Sequence, residues 1–131
     1  DTLVFGSIRW AEWTTTEINS FAYPGNPLVS YDNDTTSYTL GVGRKFSESL
    51  SGAVSVGYEK ANGGTASNLS PTDGNTSLSV GGTYTLDSGI ELTGGVRYVW
   101  VGDADTALGP LTPAFEDNTA VAIGLKVAYN F

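Results

Sequence analysis

Of the six basic residues in this 131-residue chain, Arg9, Lys45, Arg97 and Lys126 share one property. Each sits in a segment where apolar residues alternate with small or polar ones, and each takes a polar position of that alternation. A strand sends successive side chains to opposite faces, so all four belong on polar strand faces. A guanidinium or ammonium group there can form charge-assisted bonds to a carboxylate. Counted along their segments, Arg9, Arg97 and Lys126 fall at similar depth, and these three are the candidate ligand contacts. A structural network with Glu59, Glu91 and residues of further strands is the reading a polar barrel interior favours. Arg44 has the opposite parity and lies near a segment end, where a long side chain can snorkel.

The acidic residues cluster elsewhere. Glu17, Asp32, Asp34, Asp73, Asp103, Asp105, Glu116 and Asp117 all fall in turn-rich stretches. Asp32-Asn33-Asp34 and Asp103-Ala104-Asp105 offer oxygens suited to a calcium ion. Neither has the spacing of a calcium loop, and Asp and Asn favour turns in any case. No metal site and no cofactor is expected. Neither His nor Cys occurs, so a Ser–His or Cys–His dyad, a thiolate metal site and a disulfide are all excluded within this sequence. An enzymatic role is not expected. A net charge of -8 argues against nucleic acid as a partner. Gly94-Gly95 lacks the strand–turn–helix setting of a phosphate loop and reads as a close-packing or curvature site.

The elements that must position these groups are strands. Alternation marks six of them, near residues 3–13, 36–46, 50–60, 77–86, 90–101 and 121–131. The last reads VAIGLKVAYNF: Val121, Ile123, Leu125, Val127, Tyr129 and Phe131 are apolar, and the residues between them are small or polar. No apolar run approaches the ~20 residues of a membrane helix. Barrel strands escape such a test, because only every second residue meets lipid.

Connections alternate in length. Residues 46–50 and 86–90 are tight polar turns between apolar residues, while residues 14–35, 61–76 and 102–118 are long and rich in Gly, Pro, Asn, Asp, Ser and Thr. Short turns on one side and long loops on the other is the outer-membrane barrel arrangement. Eight residues at about 3.3 Å each, tilted about 45°, rise roughly 19 Å, close to the height of an apolar band of about 25 Å. Aromatics fall near both ends of the apolar rows. Trp10, Tyr38, Tyr58, Tyr98 and Trp100 would form the outer girdle, and Phe46, Tyr84, Tyr129 and Phe131 the periplasmic one. A soluble antiparallel sandwich also alternates. The two-ended aromatics, the loop alternation and the terminal aromatic favour lipid. The expected fold is therefore all-β, an antiparallel transmembrane β-barrel in a single segment spanning residues 1–131.

The motifs RWAEW at 9–13, YTLGVGRKF at 38–46, GYEK at 57–60, SPTDG at 70–74 and TGGVRYVWVGDADT at 93–106, with the final strand, resemble the carboxyl-terminal part of the FadL family. The resemblance is spread over nearly the whole chain. It implies an outer-membrane barrel, plugged by an amino-terminal hatch, that passively takes up long-chain fatty acids or other hydrophobic compounds. The implied surroundings are membrane lipid and lipopolysaccharide in the bacterial outer membrane. Single-chain barrels start at about eight strands. Six strands without a hatch are therefore expected to be part of a larger barrel, completed by strands from the same or other chains. The competing expectation is a small structural or adhesive barrel, or a self-assembling β protein, without transport activity.

Overall fold

Alternation becomes a single wide sheet in a computed structural model that describes residues 1–19, 21–22, 25, 27, 29–67, 69–107 and 110–129. Eleven strands run in the order β1 (Thr2–Ala11), β2 (Glu17–Ile18), β3 (Val29–Ser30), β4 (Thr35–Lys45), β5 (Leu50–Glu59), β6 (Thr65–Ala66), β7 (Asn75–Thr85), β8 (Ile90–Val101), β9 (Ala104–Thr106), β10 (Ala114–Phe115) and β11 (Thr119–Tyr129). No helix occurs among the described residues. The long strands β1, β4, β5, β7, β8 and β11 form one antiparallel meander in that order. They hold 10 to 12 residues each. Their ends lie within two residues of the boundaries expected from alternation, except at Asn130 and Phe131, which lie outside the described residues.

Five short strands were not expected. They are built from the long connections, whose mixed polar sequence carries too few alternating positions to announce them. β2 pairs with β3 inside the first long connection, whereas β10, β9 and β6 form a second small sheet. There β6 runs parallel to β9, which ties the second long connection to the third.

The large sheet keeps one register without a slip. Val4 faces Val42, Val42 faces Val54, Val54 faces Val80, Val80 faces Val96, and Val96 faces Ile123. Neighbouring rows on this face carry Leu40, Val56, Leu78, Tyr98 and Val121, then Ile8, Tyr38, Tyr58 and Trp100. β-Branched and aromatic residues paired across strands stabilise the sheet by about 0.2–1 kcal/mol each. Apart from the half-buried Tyr98, these side chains are nonetheless exposed, and Leu125 on the same face is 87% exposed. Among the described residues, the buried apolar side chains are Val29 and Ala104, and both belong to the long connections. The sheet therefore has no core of its own on this face. In water each exposed Val, Leu or Ile forfeits about 1.5–3 kcal/mol of available burial.

The opposite face carries a row of small residues, Gly43, Ala53, Gly81, Gly95 and Gly124, that begins at Leu3. One depression is lined by residues of all six long strands, so this face is concave. The missing side chains make it so. The two tight turns close as expected. Phe46 N donates to Leu50 O at 2.8 Å, and Leu86 N to Ile90 O at 2.8 Å. Gly89 sits at φ +83°, where a side chain would be strained. β1 and β11 are both edges: neither pairs with the other, and the sheet does not close.

Phe5, which alternation places among the inward residues, lays its ring over Gly41 on the next strand. A Cβ at Gly41 would collide with that ring and stand 2.8 Å from Ser55 Cβ. Gly41→Ala is expected to destabilise the sheet by about 1–3 kcal/mol through overpacking. Adding Phe5→Ala should return most of that loss, which a double-mutant cycle from urea unfolding would measure. Additive effects would show that the two residues do not meet.

Candidate functional site

The trough on the concave face holds about 1080 Å³. Its floor is the small-residue row, and hydroxyls flank it: Ser51, Ser55, Ser79, Thr83 and Thr93. Thr83 and Thr93 face each other across β7 and β8 with their hydroxyls 3.0 Å apart. Lys45, Arg97 and Lys126, all of inward parity, also border the trough, against Asp1 as its acid; Arg44 touches its rim, although its register position beside Gly52 belongs to the convex face. Lys45 is neutralised by the turn below it, because its Nζ donates to Glu48 Oε2 at 3.1 Å.

Arg97 and Lys126 thus share one trough, and Arg9 borders another space. Arg97 pairs in register with Ser79 and Ala122. Lys126 lies four residues along β11 from Ala122, roughly 13 Å toward the short turns. Arg9 lies four residues along β1 from Phe5, toward the long connections. It lines a cleft of about 320 Å³ beneath those connections, with Trp13, Tyr31, Asp32, Glu59 and Asp73. Three acids and one base make this cleft acidic, whereas the trough is basic. The two spaces therefore favour opposite ligand charges.

Trp13 ends the first segment as a loop anchor. Its ring packs against Tyr31 at 5.3 Å and 40°, and its Nε1 donates to Thr35 Oγ1 at 3.1 Å. The aromatic residues of the two expected girdles lie on the convex, apolar face, exposed at Trp10, Tyr38, Tyr58, Trp100, Phe46, Tyr84 and Tyr129. Tyr98 stacks edge-on to Trp100 at 4.6 Å. Phe131 lies outside the described residues. At Gly94 a Cβ would stand 3.2 Å from Leu125 Cδ2, and at Gly95 the same distance from the Val80 carbonyl, so both glycines serve close packing.

Each long connection is folded on itself by a carboxylate, while backbone and amide groups join one connection to another. Asp34 Oδ1 accepts from Trp13 N at 3.0 Å, Thr14 N at 3.1 Å and Thr14 Oγ1 at 2.9 Å. Asn62 Nδ2 donates to the Asp34 carbonyl at 3.0 Å. Asp73 accepts from Asn62 N and Gly63 N at 2.8 and 2.7 Å. Asp103 Oδ1 accepts from Asp117 N at 3.0 Å, where Asp117 itself sits at φ +55°. A Cβ at Gly102 would collide with the Asp73 carbonyl, so that crossing admits only glycine. Asp34, Asp73 and Asp103 therefore hold backbone N–H groups, and no group of three metal-ligating side chains forms among the described residues.

Alternation alone did not single out Ser77, Gly57 or Phe5. Ser77 is buried and accepts a bond from Arg97 Nη2 at 3.1 Å. Gly57 faces it on β5. A polar residue opposite a glycine at inward parity was the available signal, and it has meaning only once the register of β5, β7 and β8 is known.

Compared with known proteins, the chain matches no protein-family model, no curated protein and no solved structure.

The backbone and hydroxyl donors of Thr14, with Trp13 N, hold the Asp34 carboxyl below its ordinary value of 3.8. A depressed carboxyl contributes stability that is fully present above the unfolded value and is lost as pH falls through the lower folded value. With Trp10 and Trp100 replaced by Phe, Trp13 emission should shift in acid with a midpoint below pH 3.8. Asp34→Ala should show the acid-form emission already at neutral pH. Identical emission in the two proteins at pH 7 would remove Asp34 as the anchor of this connection.

Proposed function

We propose that this chain is part of an outer-membrane β-barrel that passes long-chain fatty acids or other hydrophobic compounds passively along its concave face. The carrying observation is the convex face: a continuous, in-register apolar surface across six strands that no layer of the described residues covers. A soluble sandwich would bury that surface against a second sheet. A bilayer covers it without one, and strands of 10 to 12 residues suit the roughly 9–11 needed to cross at a tilt. Aromatic residues toward both ends of the rows suit the interfaces with lipid headgroups and lipopolysaccharide.

Two further observations support passage of an amphiphile. The trough is floored by small residues, open along the strands and bordered by cations, which suits an apolar chain with an anionic head. The motifs that resemble the FadL family supply the substrate class. Backbone groups on the open edges would cost several kcal/mol each if left unpaired in lipid. Further strands, from the same or other chains, are accordingly part of the proposal. A structural or adhesive barrel is the second reading. The lacing of the long connections favours it, since a fixed outer surface suits contact with a partner.

The lipid-facing assignment has a direct test. Val96→Arg, in the middle convex row, is expected to lower stability in bilayers by about 2–4 kcal/mol, while Ser79→Arg on the concave face should be tolerated. Equal effects, or recovery of the protein outside the membrane fraction, would overturn it. The transport assignment is tested by uptake of labelled oleate into cells that lack their own fatty-acid importer. Production of the full-length protein should raise the rate severalfold, and no increase would leave the structural reading.

A further inference from the structure

Arg97 differs from the other cations of the trough in how its head group is held. Its Nη2 donates to Ser77 Oγ at 3.1 Å, and Ser77 is 2% exposed. The residue paired directly with Arg97 on β7 is Ser79, so the bond runs diagonally to the next inward position. Ser77 in turn faces Gly57 on β5. A Cβ at Gly57 would stand 2.6 Å from Ser77 Oγ and 3.9 Å from Arg97 Nη2. Glycine therefore keeps a slot open in which the hydroxyl and one end of the guanidinium meet.

Among the described residues, no carboxylate pairs with this cation. The row of Arg97 contains Phe5, Gly41, Ser55, Ser79 and Ala122, without an acid. Its partner is a neutral hydroxyl, and the remaining N–H donors of the guanidinium are left for a ligand. Lys45 is occupied by Glu48. Lys126 has no hydrogen bond or ion pair to a described residue, so its flexible ammonium must be ordered by whatever it binds. A planar donor already held in place loses less freedom on binding a planar oxyanion than a free ammonium does.

We propose that Ser77 and Gly57 are positioning residues that fix Arg97 as the group receiving the carboxylate of an amphiphile in the trough. This rests on the transport function proposed above. Ser77 touches no substrate; it sets where the guanidinium stands. Arg9, in the acidic cleft, takes no part.

The test uses the full-length protein reconstituted in liposomes and compares uptake of oleate with uptake of oleyl alcohol, which has the same chain and no charge. Arg97→Ala should abolish the preference for the acid. Ser77→Ala should raise the half-saturating oleate concentration about three- to tenfold at an unchanged maximal rate, as expected for a lost hydrogen bond acting through binding. Gly57→Ala, which keeps the hydroxyl but crowds the slot, should shift the preference in the same direction. It carries the test if Ser77→Ala does not fold, as judged by circular dichroism. Full acid preference in Ser77→Ala and Gly57→Ala beside its loss in Arg97→Ala overturns the positioning role. Preference retained in Arg97→Ala, with uptake continuing, overturns the assignment of Arg97 but leaves transport standing. Uptake of neither compound by the unsubstituted protein removes transport and this proposal together.

Discussion

Period-two alternation sorts side chains onto two faces only while neighbouring strands stay in step. Across β1, β4, β5, β7, β8 and β11 the register never slips. A one-residue slip at any pair would send the apolar set of the next strand onto the opposite face. Because no slip occurs, apolar side chains accumulate on the convex surface and glycine, serine and threonine on the concave one. The trough, its cations and the uncovered apolar face all follow from that one condition.

The register also explains the glycines. Rows on the concave face bring Gly43, Gly81, Gly95 and Gly124 into line with Ala53, so the floor lacks bulk where the sheet curves. Elsewhere glycine yields its space to a neighbour: Gly41 to the ring of Phe5, Gly52 to Phe46, and Gly57 to Ser77 and Arg97. A ring over a cross-strand glycine recovers contact that the glycine cannot make. The curved wall and the slot for Arg97 come from the same economy of side-chain volume.

The two ends of the sheet are stabilised differently. Tight turns need only local bonds, such as Ser47 Oγ accepting from Leu50 N at 3.1 Å. In the long connections an Asp closes each loop on itself, because Asp accepts from several backbone N–H groups at once, and backbone pairs such as β6 with β9 join one loop to another. This use of acids accounts for part of the excess of 14 acidic over six basic residues. It leaves the acidic charge gathered at one end and the trough basic.

The strands, their parity, the tight turns and the inward direction of Arg97 and Lys126 were legible in the sequence, because each follows from spacing within one segment. The short strands β6, β9 and β10 were not, since two or three residues carry no period and their pairing joins separate connections. The separation of Arg9 from Arg97 and Lys126 was equally hidden. Depth counted along each segment does not say which residues of different strands stand in one row. By itself the sequence determined which side chains face which way, through the fixed geometry of an extended backbone. Only the tertiary structure decided which of them meet. Arg97 reaches Ser77, twenty residues earlier in the chain, through backbone hydrogen bonds that set β7 beside β8 in one register out of several that alternation alone would allow.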